Sequence, residues 1–156
     1  MSAPKLSPEE VEARRKFAFG IWEQTCAHTA QGPLQIELVD IDEETITLRM
    51  PITDAARQPA GLLHGGVTMV LVETAGSMHA CFHLDLSEQA PVGIEINGTH
   101  LRSARDGHVI AKGHVIRRAR TLIVHEVNVY HEETGAHLNV SRITNMIIPA
   151  AKEFGA

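Results

Sequence analysis

The segment from His64 to Phe82 constrains this chain more than any other. It is rich in Met, Leu, Val and Ala and predicts a helix, yet it lacks the single polar stripe that a surface helix shows opposite its apolar face. At ~100° per residue, Thr68, Glu73, Thr74, Ser77 and His79 point in widely different directions among Val67, Met69, Val70, Leu71, Val72, Ala75, Met78 and Ala80. Such a helix is expected to be surrounded on most sides. A carboxylate at position 73 is then costly unless it is paired, hydrogen-bonded or facing a wet cleft.

Further elements can be read on either side. Ser7-Pro8-Glu9-Glu10 supplies a cap residue, a proline at the first helical position and acids in the first turn, predicting a helix to about Gln24. Leu34, Ile36 and Leu38 alternate with Gln35 and Glu37, and Ile46, Leu48 and Met50 with Thr45, Thr47 and Arg49, so both stretches read as strands around a turn at Asp42-Glu43-Glu44. Residues 53–63, with Asp54, Pro59 and Gly61, form a loop into the central helix. Four more strands are expected near 91–101, 108–118, 121–131 and 137–148, with Asp106-Gly107 and Thr134-Gly135 as turns. This order predicts an α+β domain, one antiparallel sheet packed against helix. With no repeat or linker, a single domain is expected: an N-terminal helical segment over 1–30 and the main body over 31–150.

Composition excludes several other classes. A chain of 156 residues, 44% hydrophobic and 21% charged, is an ordinary soluble domain with room for a sizeable core. Its net charge of −5 offers no general attraction to nucleic acid or an anionic membrane. The start, Met1-Ser2-Ala3-Pro4-Lys5, leads into charged sequence rather than the apolar core of a secretory signal, and no uncharged apolar run reaches the ~18 residues of a membrane span. Cys26 and Cys81 lack any metal-type spacing and read as free thiols of a reducing cytoplasm.

Three groups on the central segment carry candidate chemistry. Glu73 and Ser77, four apart, share a helix face; the pair is either a solvated surface feature or a base or nucleophile with an orienting hydroxyl. His64-Gly65-Gly66 stands where loop becomes helix, so it is either a glycine-rich turn or a set of backbone N–H donors for a developing oxyanion. His79 and His83 share a face but lack a neighbouring Glu and a third ligand, so no metal is assigned to them; they are expected to interact with the helix macrodipole. His108, His114, His125 and His131 fall on strand positions and are expected at the surface.

The run Gln58-Pro59-Ala60-Gly61-Leu62-Leu63-His64-Gly65-Gly66, followed by Glu73, Gly76 and Ser77, resembles the hotdog-fold thioesterases. The likeness is to the phenylacetate-pathway-type branch, which includes 4-hydroxybenzoyl-CoA and 1,4-dihydroxy-2-naphthoyl-CoA thioesterases and the proofreading thioesterase of enterobactin synthesis. A second block, Val92 to Arg105, is similar to the naphthoyl-CoA members, and the resemblance covers roughly residues 35 to 148. It implies a long helix wrapped by a curved antiparallel sheet, and dimers, associating into a dimer of dimers, with each active site between two subunits. It further implies acyl-CoA as substrate, aryl or medium-chain, hydrolysed without metal or cofactor. Glu73 becomes nucleophile or general base, the Gly65 N–H with Gln58 and His64 polarises the thioester carbonyl, and Ser77 positions the water or the carboxylate. Some relatives have Thr in place of Ser77, and others place an Asp on the opposite side of the helix.

The basic residues fit this reading. Arg102, Arg105, Arg117, Arg118, Arg120 and Arg142 lie in the second half, and Asp106 is the only acid between Thr99 and His125. Without the motif blocks this is a solvated strand edge; with them, arginine forks suit the phosphates of CoA. The resemblance implies substrate contacts from Gly93, from His100, Leu101, Arg102 and Ser103, and from Arg117, Arg118, Ala119, Arg120, Thr121 and Leu122. Ala119 stands where relatives often have Gly. The competing functions are a hotdog hydratase or dehydratase, whose His-and-Asp helix pattern this chain lacks, and a non-enzymatic acyl-CoA binder.

Overall fold

The computed structural model describes residues 5–150; residues 1–4 of the expected N-terminal segment lie outside the described residues. Helix α1 spans Pro8–Thr25. Ser7 Oγ accepts from the Glu10 N–H at 3.2 Å while Glu10 Oε2 accepts from the Ser7 N–H at 2.7 Å, a reciprocal cap that satisfies two otherwise orphaned donors. The helix is fastened to the rest of the chain by Arg14 Nη1, which donates to the Phe82 carbonyl at 2.7 Å, and by an ion pair between Arg15 and Asp40.

Strands β1 (Glu37–Ile41) and β2 (Thr45–Pro51) pair antiparallel. The turn between them is held by Asp42 Oδ1, which accepts the N–H groups of Glu44 and Thr45, each at 2.8 Å. The first strand starts later than the alternation of Leu34, Ile36 and Leu38 suggests. Gln35 takes a left-handed conformation (φ 53°), and the N–H groups of Gln35 and Ile36 bond back to Gly32 and Gln31. Those local turns use the donors a strand would need, so Leu34 falls outside it.

Helix α2 spans Gly65–Phe82, and β3 (Gln89–His100), β4 (His108–Arg118), β5 (Leu122–His131) and β6 (His137–Pro149) complete a six-stranded antiparallel sheet of order β1-β2-β4-β5-β6-β3. Gly107 and Gly135 adopt positive φ at the two expected turns. The sheet wraps α2, burying Thr68, Leu71, Val72, Ala75, Gly76, His79, Ala80 and Phe82 against Ile46, Leu48, Met50, Val127 and Ile143. A Cβ on Gly76 would collide with Ile143, so helix and sheet meet there at backbone distance. Glu73 alone on the middle turns of α2 is exposed. Among the described residues, both edge strands of the sheet, β1 and β3, have one unpaired side. No described helix is long and apolar enough to cross a membrane.

The histidines depart from expectation. His125 is not at the surface: it is wholly buried against His79, ring centroids 5.1 Å apart. His131 is also largely covered, its side chain 12% exposed, with Nε2 donating to the Asp106 carbonyl at 3.0 Å. His79 and His83 do not serve the helix dipole as cations. His79 Nε2 donates to the Asp42 carbonyl at 2.9 Å, so its Nδ1 is left to accept from His125 Nε2 at 3.1 Å. His83 Nδ1 accepts from Arg118 Nη1 at 2.8 Å. Burial pushes His79 down to about 4 and His83 and His125 to about 3, so all three are neutral at pH 7. The period-2 pattern gave β5 an inward face, but a histidine on such a face reads as exposed unless its partners are known.

Candidate active site

The loop before α2 is folded by its own backbone. Gln58 and Leu62 close a turn through an N–H to carbonyl bond of 2.8 Å, and the Leu63 and His64 N–H groups reach Ala104 and Ala56, each at 2.8 Å. These bonds set His64 as the N-cap of α2, where its Nδ1 accepts the Gly66 N–H at 2.8 Å. The neutral ring therefore carries its proton on Nε2. The Gly65 N–H lies in the first turn, where no intrahelical acceptor exists. A Cβ at Gly65 would come 2.7 Å from His100 Nε2, so only glycine leaves the present approach open.

Beside this helix start lies a cleft of about 410 Å³, bordered by Gln58, Gly65, His100, Leu101, Arg102 and Ser103. Gln58 Oε1 is engaged with the Ala60 N–H at 2.5 Å, leaving its amide hydrogens as donors. His100 is steadied from behind by Asn139, whose Nδ2 donates to His100 Nδ1 at 3.2 Å.

Glu73 is elsewhere. Strand β3 runs alongside α2 in the opposite direction, with His100 near Gly65 and Gly93 near Glu73; a Cβ on Gly93 would sit 2.9 Å from Glu73 Oε1. Ser77, one turn on, accepts from Asn145 Nδ2 at 3.1 Å. Eight residues of helix separate Gly65 from Glu73, about 12 Å along the axis. One thioester group is far too small to touch both within one chain.

A third locus lies at the β4–β5 hairpin. Arg118, Ala119 and Arg120 border a cleft of about 310 Å³ with His83, Leu84 and Gln89. Arg117, Arg120 and Thr121 are exposed at the hairpin, and Leu122 is half-buried. The Ala119 N–H bonds the Leu122 carbonyl at 2.8 Å, and its φ is not positive, so alanine fits where relatives often have glycine. The expected residues thus gather in three places: Gln58, His64, Gly65 and His100–Ser103; Glu73, Ser77 and Gly93; and Arg117–Leu122.

Sequence reasoning passed over Asn139 and Asn145, both wholly buried. With Ser141 and Ile143 they form one face of β6, and polar residues on a face that also carries a core isoleucine were the available signal. Among the described residues, His108, Glu132 and Glu133 bring metal-capable atoms within 4.8 Å of one another. Arg49 Nε already donates to Glu132 at 2.8 Å, and His108 Nδ1 lies 2.9 Å from Glu133 Oε1, which drives that carboxyl down to about 2.

The sequence matches the thioesterase superfamily over residues 60–136. It is 36% identical over 144 residues to a Deinococcus radiodurans protein provisionally named an esterase, covering 92% of this chain and 87% of that one. It is also 36% identical over 117 residues to the 1,4-dihydroxy-2-naphthoyl-CoA hydrolase of Escherichia coli, covering 75% and 85% of the two chains. A solved thioesterase from Haemophilus influenzae superposes with a TM-score of 0.78 at 34% identity, covering 84% of this chain and 90% of that one. A helix wrapped by an antiparallel sheet, with this degree of likeness, defines a hotdog-fold protein. The chain belongs to the thioesterase superfamily and is a thioester hydrolase.

Proposed function

We propose that the protein hydrolyses acyl-CoA thioesters, aryl or medium-chain, in a site shared between two copies of the chain. Glu73 acts as nucleophile or general base, the Gly65 N–H stabilises the oxyanion with help from Gln58 and His64, and Ser77 orients the reacting carboxylate or water. The observation that carries this reading is the position of Gly65 and Glu73 at opposite ends of β3, on one helix, with Glu73 exposed. Pairing the free edge of β3 with its counterpart around a two-fold axis brings the His100 end of one copy beside the Gly93 end of the other. Gly65 then faces Glu73 of the partner subunit, and the carbonyl and its attacker have both their partners.

The nucleotide end of CoA is assigned to Arg102 and to the hairpin of Arg117–Leu122, where guanidinium groups meet phosphate. No metal or redox group enters the reaction as proposed. Pairs of dimers are the proposed assembly. Cys26 and Cys81 are both unpaired, in keeping with the reducing cytoplasm as the compartment.

Glu73→Gln tests the mechanism, because it keeps the volume and removes the negative charge. The expected outcome is a fall in kcat of at least about 10²-fold with little change in KM. Ser77→Ala costs less, since the reacting group stays. A Gln variant within about threefold of the parent discards the mechanism. Thiol release from a panel of acyl-CoAs separates the competing functions, since a hydratase or a binder liberates no CoA.

A further inference from the structure

Asn145 is wholly buried on the inward face of β6, opposite Gly93 of β3 and Ile123 of β5. Its Nδ2 donates to Ser77 Oγ at 3.1 Å, and its Oδ1 is buried with no hydrogen-bond partner. A buried amide oxygen left unpaired opposes folding, and an apolar side chain of the same size at this position would not. The residue that stands there is thus a poor choice for stability alone.

We infer that Asn145 is a positioning residue of the hydrolytic site, acting through the Ser77 hydroxyl on the Glu73 carboxylate. The inference rests on the reading of Glu73 as the reacting group. A serine within a helix ordinarily turns its proton back to the carbonyl four residues earlier, as Thr74 does to Val70 at 2.7 Å. For Ser77 that carbonyl belongs to Glu73, and the structure contains no such bond. Asn145 instead occupies one lone pair of Ser77 Oγ, which fixes the oxygen and leaves its single proton to be given elsewhere. The side-chain carboxylate of Glu73, one turn away on the same face, is the acceptor that a rotation of its own side chain brings to that proton. Gly93 leaves the necessary space: a Cβ there would stand 2.9 Å from Glu73 Oε1 and 3.9 Å from Asn145 Nδ2, so carboxylate and amide border the same point.

The experiment is a double-mutant cycle of Asn145→Leu and Ser77→Ala. It follows thiol release from whichever of benzoyl-CoA and hexanoyl-CoA turns over faster, with thermal unfolding measured on every variant. Asn145→Leu is expected to lower kcat about tenfold, the worth of one orienting hydrogen bond, with KM within about twofold. Its Tm should equal or exceed that of the parent, which a merely structural role does not allow. In the Ser77→Ala background the same change should cost nothing further, because Asn145 has lost the group it acts through. Parent-like kcat in Asn145→Leu, a kcat loss accompanied by a lowered Tm, or multiplying losses in the double variant overturns the inference. Should Asn145→Leu not fold, Asn145→Ala enters the same cycle with the kinetic criteria alone. Glu73→Gln runs in parallel: if it keeps the parent rate, the reading of Glu73 is what fails, and if it collapses while Asn145→Leu does not, only the role of Asn145 falls.

Discussion

Single atoms decide how much of the candidate chemistry each residue can supply. His64 uses Nδ1 to cap α2, so it has one donor left and no free lone pair for proton abstraction. That excludes it as a base and leaves it as a polariser. The arginines divide between two clefts, Arg102 beside Gly65 and Arg120 beside the β4–β5 hairpin. Contacts with the nucleotide, which takes no part in the bond change, hold ground state and transition state alike. Arg102→Ala and Arg120→Ala should therefore raise KM for an acyl-CoA more than they lower kcat, with the larger effect at low salt, where phosphate attraction is least screened. Unchanged KM in both variants moves the nucleotide elsewhere.

Elements bring together what sequence neighbours cannot. His79 comes from α2, His83 from the residue that caps its C-terminus, His125 from β5 and Arg118 from β4, and only the wrapping of the sheet around the helix makes them one group. Their folded pKa values, about 4 for His79 and about 3 for His83 and His125, lie below the ordinary 6.5 that they regain on unfolding. Desolvation is the main cause in each, and His114, Arg14 and Arg118 add repulsion. Between those limits the unfolded chain binds more protons than the folded one, so stability rises with pH. It is fully present above about pH 6.5 and is lost as pH falls towards 4 and then 3. Thermal unfolding followed from pH 7 to pH 4 should show this decline, and His125→Leu should flatten it. A Tm independent of pH across that range contradicts the neutral cluster. The strands themselves were legible because side-chain alternation survives any sheet order; β1 was misjudged at its start because the turn at Gly32–Gln35 depends on a backbone conformation that alternation does not encode.

At the scale of the molecule, the fold class was readable because helix and strands follow one another with short connections, and the proposed Gln58, Gly65 and Glu73 motif stands on one contiguous stretch, a loop running into one helix. The distance of about 12 Å between Gly65 and Glu73 follows from helix spacing, but the strand beside them does not: that β3 sets His100 by Gly65 and Gly93 by Glu73 depends on sheet packing. Light scattering should find no active species at the 17.0 kDa of one chain. The eight-residue gap on α2 also has a genetic consequence. Gly65→Pro keeps the first helical position, where proline is tolerated, and removes the N–H, while its Cβ displaces the His100 ring; His64, with ψ 126°, already has the extended backbone that precedes proline. Alone, Gly65→Pro and Glu73→Gln should each be inactive. Refolded together, they form mixed dimers in which one site has lost both groups and the other neither, and activity should return to about a quarter of the parent's under random assortment. Two broken alleles would then complement each other, a phenotype possible only where the unit of function is the pair and not the polypeptide.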